Sequence, residues 1–125
     1  MKSISTENAP KAIGPYVQGK MFEGLIFTSG QLGINPKTNK LCNGIDAQTR
    51  QALDNLSAVL LAGGSNMESV IKTTVLLTNI DDFNVVNEIY TDSFRGVFPA
   101  RVAYQVGALP MGGLIEIEAI AVQDK

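Results

Sequence analysis

The stretch VIKTTVLLTNIDDFNVVNEIYTDSFRGVFPARVAYQVGAL, residues 70–109, decides the fold of this chain. Its first nine residues are rich in β-branched side chains and predict a long strand. Asp81 or Asp82 then caps a helix that ends at Gly96, and a second strand follows from Val102 to Leu109. The apolar face of the helix comprises Phe83, Val86, Ile89, Tyr90 and Phe94. A strand, a helix and a strand in this order predict a parallel pair with a helical crossover.

The residues before this stretch predict another strand, a turn and another helix. Residues 24–30 form a short apolar run bounded by glycines, which predicts a buried strand. Turn residues at 35–39 predict a hairpin-like excursion. A helix then runs from Asp46, as its N-cap, to the stop at Gly63 and Gly64. Its core side is predicted to hold Leu53, Leu56 and Leu60, and its water side Arg50, Gln51, Asp54 and Asn55.

The last strand, 114–123, follows a turn at 110–113 and completes a mixed sheet. The predicted fold is α+β, a two-layer sandwich with two helices on one face of the sheet. Both faces of the long strands are apolar, however. One face is predicted to carry Val70, Thr74 and Leu76, with Leu114, Ile120 and Val122 on the last strand. Because so apolar a face is rarely left in water, we expect other copies of the chain to cover it.

Composition excludes several classes of function. The 125 residues predict a single domain spanning 1–125, and their ten basic and twelve acidic residues give a net charge of -2. The basic residues are scattered, which argues against a nucleic-acid partner. The chain has no histidine, so every mechanism that needs an imidazole is excluded, and so are the commonest zinc sites.

The same composition bears on location. Cys42 is the only cysteine and cannot form an internal disulfide. No window approaches eighteen apolar residues, and residues 1–12 do not resemble a signal peptide, so neither a membrane span nor secretion is predicted. We therefore expect a reducing compartment, the cytoplasm.

Few charged side chains are placed to do chemistry. Arg101 is the only charged residue between Arg95 and Glu116. A guanidinium among apolar neighbours needs an anion, which is either a ligand or an internal carboxylate. Glu116 and Glu118 point to the same face of their strand, roughly 7 Å apart. They do not converge on one bond from opposite sides as glycoside hydrolysis requires, so one is expected to meet Arg101 or order a water.

Seven short motifs in order give the chain a resemblance to a known family. They are AIGPY at 12–16, SGQ at 29–31, QALDNL at 51–56, DFNVVN at 82–87, FPAR at 98–101, LP at 109–110 and IEIEAIA at 115–121. Over essentially its whole length the chain resembles the RidA/YjgF family, also called the endoribonuclease L-PSP or translation-inhibitor family. The resemblance implies a chorismate-mutase-like fold, assembled as a homotrimer with ligand sites in the clefts between subunits.

The resemblance also implies an activity, the hydrolytic deamination of 2-aminoacrylate and 2-aminocrotonate to 2-keto acids and ammonia, with no cofactor and no metal. It implies that Arg101 binds the substrate carboxylate and that Glu116 orients or activates the attacking water. It also implies that Tyr16 is a catalytic residue in the same cleft. It assigns substrate binding, besides Arg101, to Ser29, Gly30, Asn87 and Ala103. Many members carry a cysteine where this chain has Ala103, whose backbone amide is expected to help hold the ligand.

Two alternative functions stay open. The first is the older family label, an endoribonuclease that inhibits translation, against which the scattered charge and the missing imidazole speak. The second is a non-catalytic regulator that binds small molecules in the same carboxylate pocket.

Overall fold

A computed structural model describes residues 1–124, in which nine strands and two α-helices form a two-layer α+β fold. The strands are β1 (Lys2–Ile4), β2 (Gly19–Phe22), β3 (Leu25–Thr28), β4 (Gln31–Leu32), β5 (Ile34–Asn35), β6 (Lys40–Leu41), β7 (Val70–Leu77), β8 (Ala100–Gln105) and β9 (Ile115–Val122). The helices are α1 (Gly44–Ala62) and α2 (Phe83–Phe94).

The main sheet has the order β1-β2-β3-β9-β7-β8, and β4 pairs with β9 beyond the end of β3. β7 and β8 are parallel and joined through α2, which confirms the predicted crossover. All other neighbours in this sheet are antiparallel. Both helices pack on one face, where their apolar residues share a single core with Ile115, Ile117, Ala119 and Ala121 of the central strand β9. The predicted fold class is therefore confirmed.

Several helix and strand boundaries differ from the predicted ones. α1 begins at Gly44, so Asp46 is not its N-cap but lies in the first turn, where it pairs with Arg50 at 2.8 Å. β8 runs over Ala100–Gln105 instead of 102–109. Three strands, β1, β2 and β4, were not predicted. β2 joins β3 through the two-residue turn Glu23 and Gly24, whose positive φ angles of 50° and 80° are those a tight hairpin needs.

The prediction that Asn55 faces water is wrong. Its side chain is fully buried, and its Nδ2 donates to the carbonyls of Leu32 (3.0 Å) and Ile34 (2.8 Å). Its Oδ1 accepts a hydrogen bond from Gln51 Nε2 at 2.8 Å. These bonds satisfy the backbone of the irregular segment between β4 and β5, so the polar residue belongs to the core.

The predicted faces of β7 also need one correction. The register between β7 and β9 shifts between Val70 and Lys72, so one residue is bulged out. Val70 therefore lies on the helix side in the core and not with Thr74 and Leu76. The face away from the helices still exposes large apolar side chains, with Phe27 41%, Val102 43%, Tyr104 50% and Val122 44% exposed.

Candidate active site

Three of the predicted site residues line one cavity. β9 carries Glu116 on the face away from the helices, where a cavity of about 480 Å³ opens in front of it. Tyr16, Gly30 and Glu116 all border this cavity. Its remaining wall is largely apolar and includes Ile13, Leu32, Ile34, Pro110 and Met111. The cavity thus combines one carboxylate with an apolar lining, as small-molecule sites commonly do.

The Glu116 carboxylate fits where it does because residue 30 is glycine. β3 and β4 both pair with β9, and the ladder is interrupted between them at Ser29 and Gly30. A Cβ atom on Gly30 would lie 2.7 Å from Glu116 Cδ, closer than real Cβ contacts allow. Gly30 therefore leaves the space that the carboxylate occupies.

Burial changes the acidity of this carboxylate. Removal from water raises the pKa of Glu116 above its ordinary value, and the neighbouring charge of Glu118 raises the pKa further. Within residues 1–124, no group donates a hydrogen bond that would offset this effect. A carboxylate with a raised pKa is a better proton acceptor, which suits it to take a proton from water.

Ser29 directly precedes Gly30 but does not itself line the cavity, and its hydroxyl is already engaged. Its Oγ donates to the carbonyl of Val17 at 2.5 Å, and its backbone N–H donates to the carbonyl of Gln18 at 2.9 Å. Ser29 thus ties β3 to the segment that follows Tyr16. The phenol of Tyr16 is 48% exposed at the cavity, and its oxygen accepts a hydrogen bond from the Ile13 N–H at 3.4 Å.

Arg101 and Asn87 lie in a second, separate cleft of about 320 Å³. Arg101 Nη1 donates to Asn87 Oδ1 at 2.8 Å. The guanidinium carbon lies 5.1 Å from the centre of the Phe83 ring and 4.9 Å from that of Tyr90. Of the two alternatives for Arg101, an internal carboxylate is absent, because the one ion pair among residues 1–124 is elsewhere on α1. Its positive charge is therefore not neutralised within the described chain.

Ala103 lies two residues further along β8, an edge strand of the sheet. The Val106 N–H donates to the Leu77 carbonyl on β7. Because hydrogen-bonding direction alternates along an edge strand, the N–H of Ala103 points away from β7, toward the free edge. This backbone donor is thus open to a ligand, while the half-buried methyl group packs against the core.

The two clefts lie on opposite faces of the sheet. Arg101 is the register partner of Thr73, which is buried on the helix side. Glu116 is the register partner of Leu76, which points to the other side. A single chain therefore brings Tyr16, Gly30 and Glu116 together, and separately Asn87 and Arg101, but it does not unite the two groups.

Buried polar side chains that shape the site were missed by the sequence analysis. Gln18 holds residues 6–10 through four hydrogen bonds and so fixes the wall of the Glu116 cavity. Gln48 accepts from the Leu114 N–H and donates to the Cys42 carbonyl. No periodic signal distinguishes these residues from exposed glutamines, because their partners are backbone groups distant in sequence.

Neither a metal site nor a membrane span is evident in the part of the chain that the structure describes. Among residues 1–124, no three cysteine, aspartate or glutamate side chains are grouped so that they could hold a metal ion. Over the same residues, every helix falls short of the length and apolar character that crossing a lipid bilayer requires.

The described residues form a small α+β protein with two helices on one face of a mixed sheet. One cleft holds an arginine without a carboxylate partner among residues 1–124, and a separate, largely apolar cavity holds one carboxylate. Residues 6–123 match the family described as Endoribonuclease L-PSP. The chain therefore belongs to this family, the RidA/YjgF family that its motifs resemble.

Individual relatives are similar over almost the whole chain. A Homo sapiens protein named 2-iminobutanoate/2-iminopropanoate deaminase is 51% identical over 121 residues, 96% of this chain and 88% of the relative. A Lactococcus lactis protein described as a candidate regulator, AldR, is 49% identical over 97% of each chain. The crystal structure of Escherichia coli TdcF with bound serine has a TM-score of 0.94 and 40% identity, covering 99% of this chain and 100% of that one.

Proposed function

We propose that this chain is a 2-iminobutanoate/2-iminopropanoate deaminase, which hydrolyses these imino acids to 2-oxobutanoate or pyruvate and ammonia. The observation that carries the proposal is the Arg101 guanidinium, held by Asn87 and left without a carboxylate partner among residues 1–124. Such a group is ready to bind a substrate carboxylate in a bidentate manner. The human relative, 51% identical to this chain over 121 residues, carries the name of this activity.

The reaction needs little beyond positioning, because a protonated imine carbon is already electrophilic. Water oxygen forms a bond to this carbon, the C=N π electrons move to nitrogen, and a water proton passes to the Glu116 carboxylate. Glu116 then returns the proton to nitrogen, the C–N bond breaks as C=O forms, and the remaining hydroxyl proton leaves with ammonia as ammonium. The raised pKa of Glu116 favours the first of these transfers.

The other predicted residues take supporting roles in the proposal. The free N–H of Ala103 on the edge of β8 can donate to the substrate carboxylate beside Arg101. Asn87 orients the guanidinium through its Oδ1. Tyr16 borders the Glu116 cavity, and Gly30 leaves room for the carboxylate. Ser29 anchors this segment through its bond to the Val17 carbonyl.

The working unit of the proposal is a homotrimer with its sites between subunits. Arg101 and Glu116 lie on opposite faces of one chain, so a substrate that touches both must lie between two copies. The exposed apolar side chains of Phe27, Val102 and Tyr104 and the free edge of β8 support such contacts. The number three follows from the family resemblance. The proposed location is the cytoplasm, which the unpaired Cys42 supports.

A regulator without catalytic activity is the second candidate, favoured by the description of the Lactococcus relative. It uses the same Arg101 cleft to bind a small carboxylate but does not turn it over. Binding of 2-oxobutanoate without any acceleration of imine hydrolysis would favour this candidate. The ribonuclease function in the family's description would be favoured by a different result. RNA cleavage would have to persist through stringent purification and be lost in an active-site variant.

Loss of activity in Arg101→Ala tests the proposal directly. Imines are generated in place by a serine or threonine dehydratase, and 2-keto acid release is followed with and without the protein. We expect Arg101→Ala to abolish the acceleration and Arg50→Ala, an exposed arginine on α1, to retain it. Full activity of Arg101→Ala would overturn the assignment of Arg101, and no acceleration by the unaltered protein would overturn the function.

A further inference from the structure

The Arg101 guanidinium lies on two aromatic rings of α2, which we name the aromatic shelf. The shelf consists of Phe83, 5.1 Å from the guanidinium carbon to the ring centre, and Tyr90, at 4.9 Å. Both distances fall within the range of about 6 Å in which a cation is attracted to a ring face. Two rings thus contact a cation that has no carboxylate partner among residues 1–124.

The shelf is held firmly by its surroundings. Tyr90 is 5% exposed, and its hydroxyl shares a hydrogen bond of 2.6 Å with Thr73 Oγ1. Thr73 is itself the β7 partner of Arg101 across the parallel ladder, so this bond links the shelf to the strand pair that carries the arginine. The ring of Phe94 packs against Tyr90 with 4.5 Å between the ring centres. Phe83, at the start of α2, packs partly against the same core.

An aromatic shelf orients a guanidinium without neutralising it. An Asp or Glu in this place would hold Arg101 more strongly but would compete with the substrate carboxylate for the same N–H groups. Ring faces and the uncharged Asn87 oxygen instead hold the guanidinium and leave its full positive charge for a ligand. A long arginine side chain held in this way also loses less rotamer freedom when the ligand binds.

We infer that Phe83 and Tyr90 are positioning residues, which hold Arg101 in the orientation that receives the substrate carboxylate. This inference rests on the proposed function. The carboxylate is bound equally before and during the reaction, so the shelf contributes uniform binding. Its loss raises KM and the Kd of carboxylate ligands and leaves kcat nearly unchanged.

The test measures the Kd of 2-oxobutanoate together with KM and kcat in the assembled protein. Phe83→Leu removes a ring and keeps apolar bulk, and we expect a Kd about 3- to 10-fold weaker with kcat within about 2-fold. Phe83→Tyr keeps both rings and should retain the original Kd. Phe22→Leu makes the same change on an exposed ring of β2 and should leave Kd and kcat unaltered.

A spectroscopic measurement reports on the shelf itself. The chain has three arginines, so its spectrum of arginine Nε–H groups holds three side-chain signals. The Arg101 proton, near two ring faces, should be displaced from the signals of Arg50 and Arg95 by ring currents. Phe83→Leu should move it toward them, whereas Phe83→Tyr should not.

The outcomes separate the inference from the proposed function. If Arg101→Met binds 2-oxobutanoate as well as the unaltered protein, the proposed site is wrong. If Arg101→Met loses binding but Phe83→Leu retains the original Kd and KM, only the shelf is refuted. If Phe83→Leu does not fold, the spectrum of the unaltered protein is the test. An Arg101 signal that coincides with the signals of Arg50 and Arg95 would then refute the contact.

Discussion

Replacing Asn55 by alanine tests how the cavity wall is held to α1. The Asn55 side chain donates 3.0 and 2.8 Å hydrogen bonds to the carbonyls of Leu32 and Ile34, and it accepts one from Gln51. Leu32 and Ile34 are both buried, so water cannot readily replace the lost donors. Leu32 also pairs with Glu116 across the β4–β9 ladder, which links Asn55 to the proposed catalytic carboxylate.

The expected cost follows from these partners. Each buried acceptor left without a donor destabilises the fold by about 1–3 kcal/mol, and limited water entry into the space vacated by the amide reduces the total. We expect Asn55→Ala to lower the free energy of unfolding by about 2–4 kcal/mol. For a chain of 125 residues this corresponds to a fall in Tm of about 8–15 °C.

Thermal unfolding followed by circular dichroism at fixed protein concentration measures this change, because the Tm of a protein that self-associates, as proposed here, depends on concentration. Asp54→Ala, at an exposed position next to Asn55 on α1, is the matched control and should shift Tm by no more than about 2 °C. A Tm of Asn55→Ala within about 2 °C of the unaltered protein would refute the buried hydrogen-bond network as the link between α1 and β4.

Three further predictions follow, two on charge and space at the site and one on the exposed ion pair of α1. Glu118→Gln removes a negative charge that, together with burial, raises the pKa of Glu116, so Glu116 stays ionised to lower pH. The acid limb of the pH profile of kcat/KM should therefore move to lower pH, and a shift to higher pH would contradict this. Gly30→Ala should displace the carboxylate by roughly 1 Å and lower kcat by about 10- to 100-fold with little change in Tm, and an unchanged kcat would show that the carboxylate position is unimportant. Arg50→Ala breaks an exposed pair with Asp46 and should leave Tm unchanged in a melting experiment.

Much of the fold could be predicted because local patterns agree with it. The 3.6-residue apolar period of α2 matches its buried residues, and the β-branched run before it is β7. β1 and β2 could not be predicted, since their residues, KSI and GKMF, do not form an apolar run like the one that predicts β3. Their place depends on pairing with β3, through the hairpin turn at Glu23 and Gly24.

The candidate site was predictable only as a set of residues. Motif resemblance selects Arg101, Glu116 and their neighbours, but it contains no information about which face of the sheet each side chain occupies. Phe83 and Tyr90 were predicted as core residues of an apolar helix face, and their contact with Arg101 depends on the register of β7 and β8. Aromatic residues at helical spacing look the same whether or not a cation lies on them.

The sequence by itself determined that imidazole chemistry is absent, that a strand–helix–strand unit lies at 70–109, and that the second sheet face is apolar. Only the tertiary structure decided that Val70 and Asn55 are buried, that Arg101 has no carboxylate partner among residues 1–124, and that Arg101 and Glu116 lie on opposite faces. The physical reason is that periodicity records local backbone geometry, whereas a bulge, a strand register and a hydrogen bond across 21 residues are set by packing between distant segments.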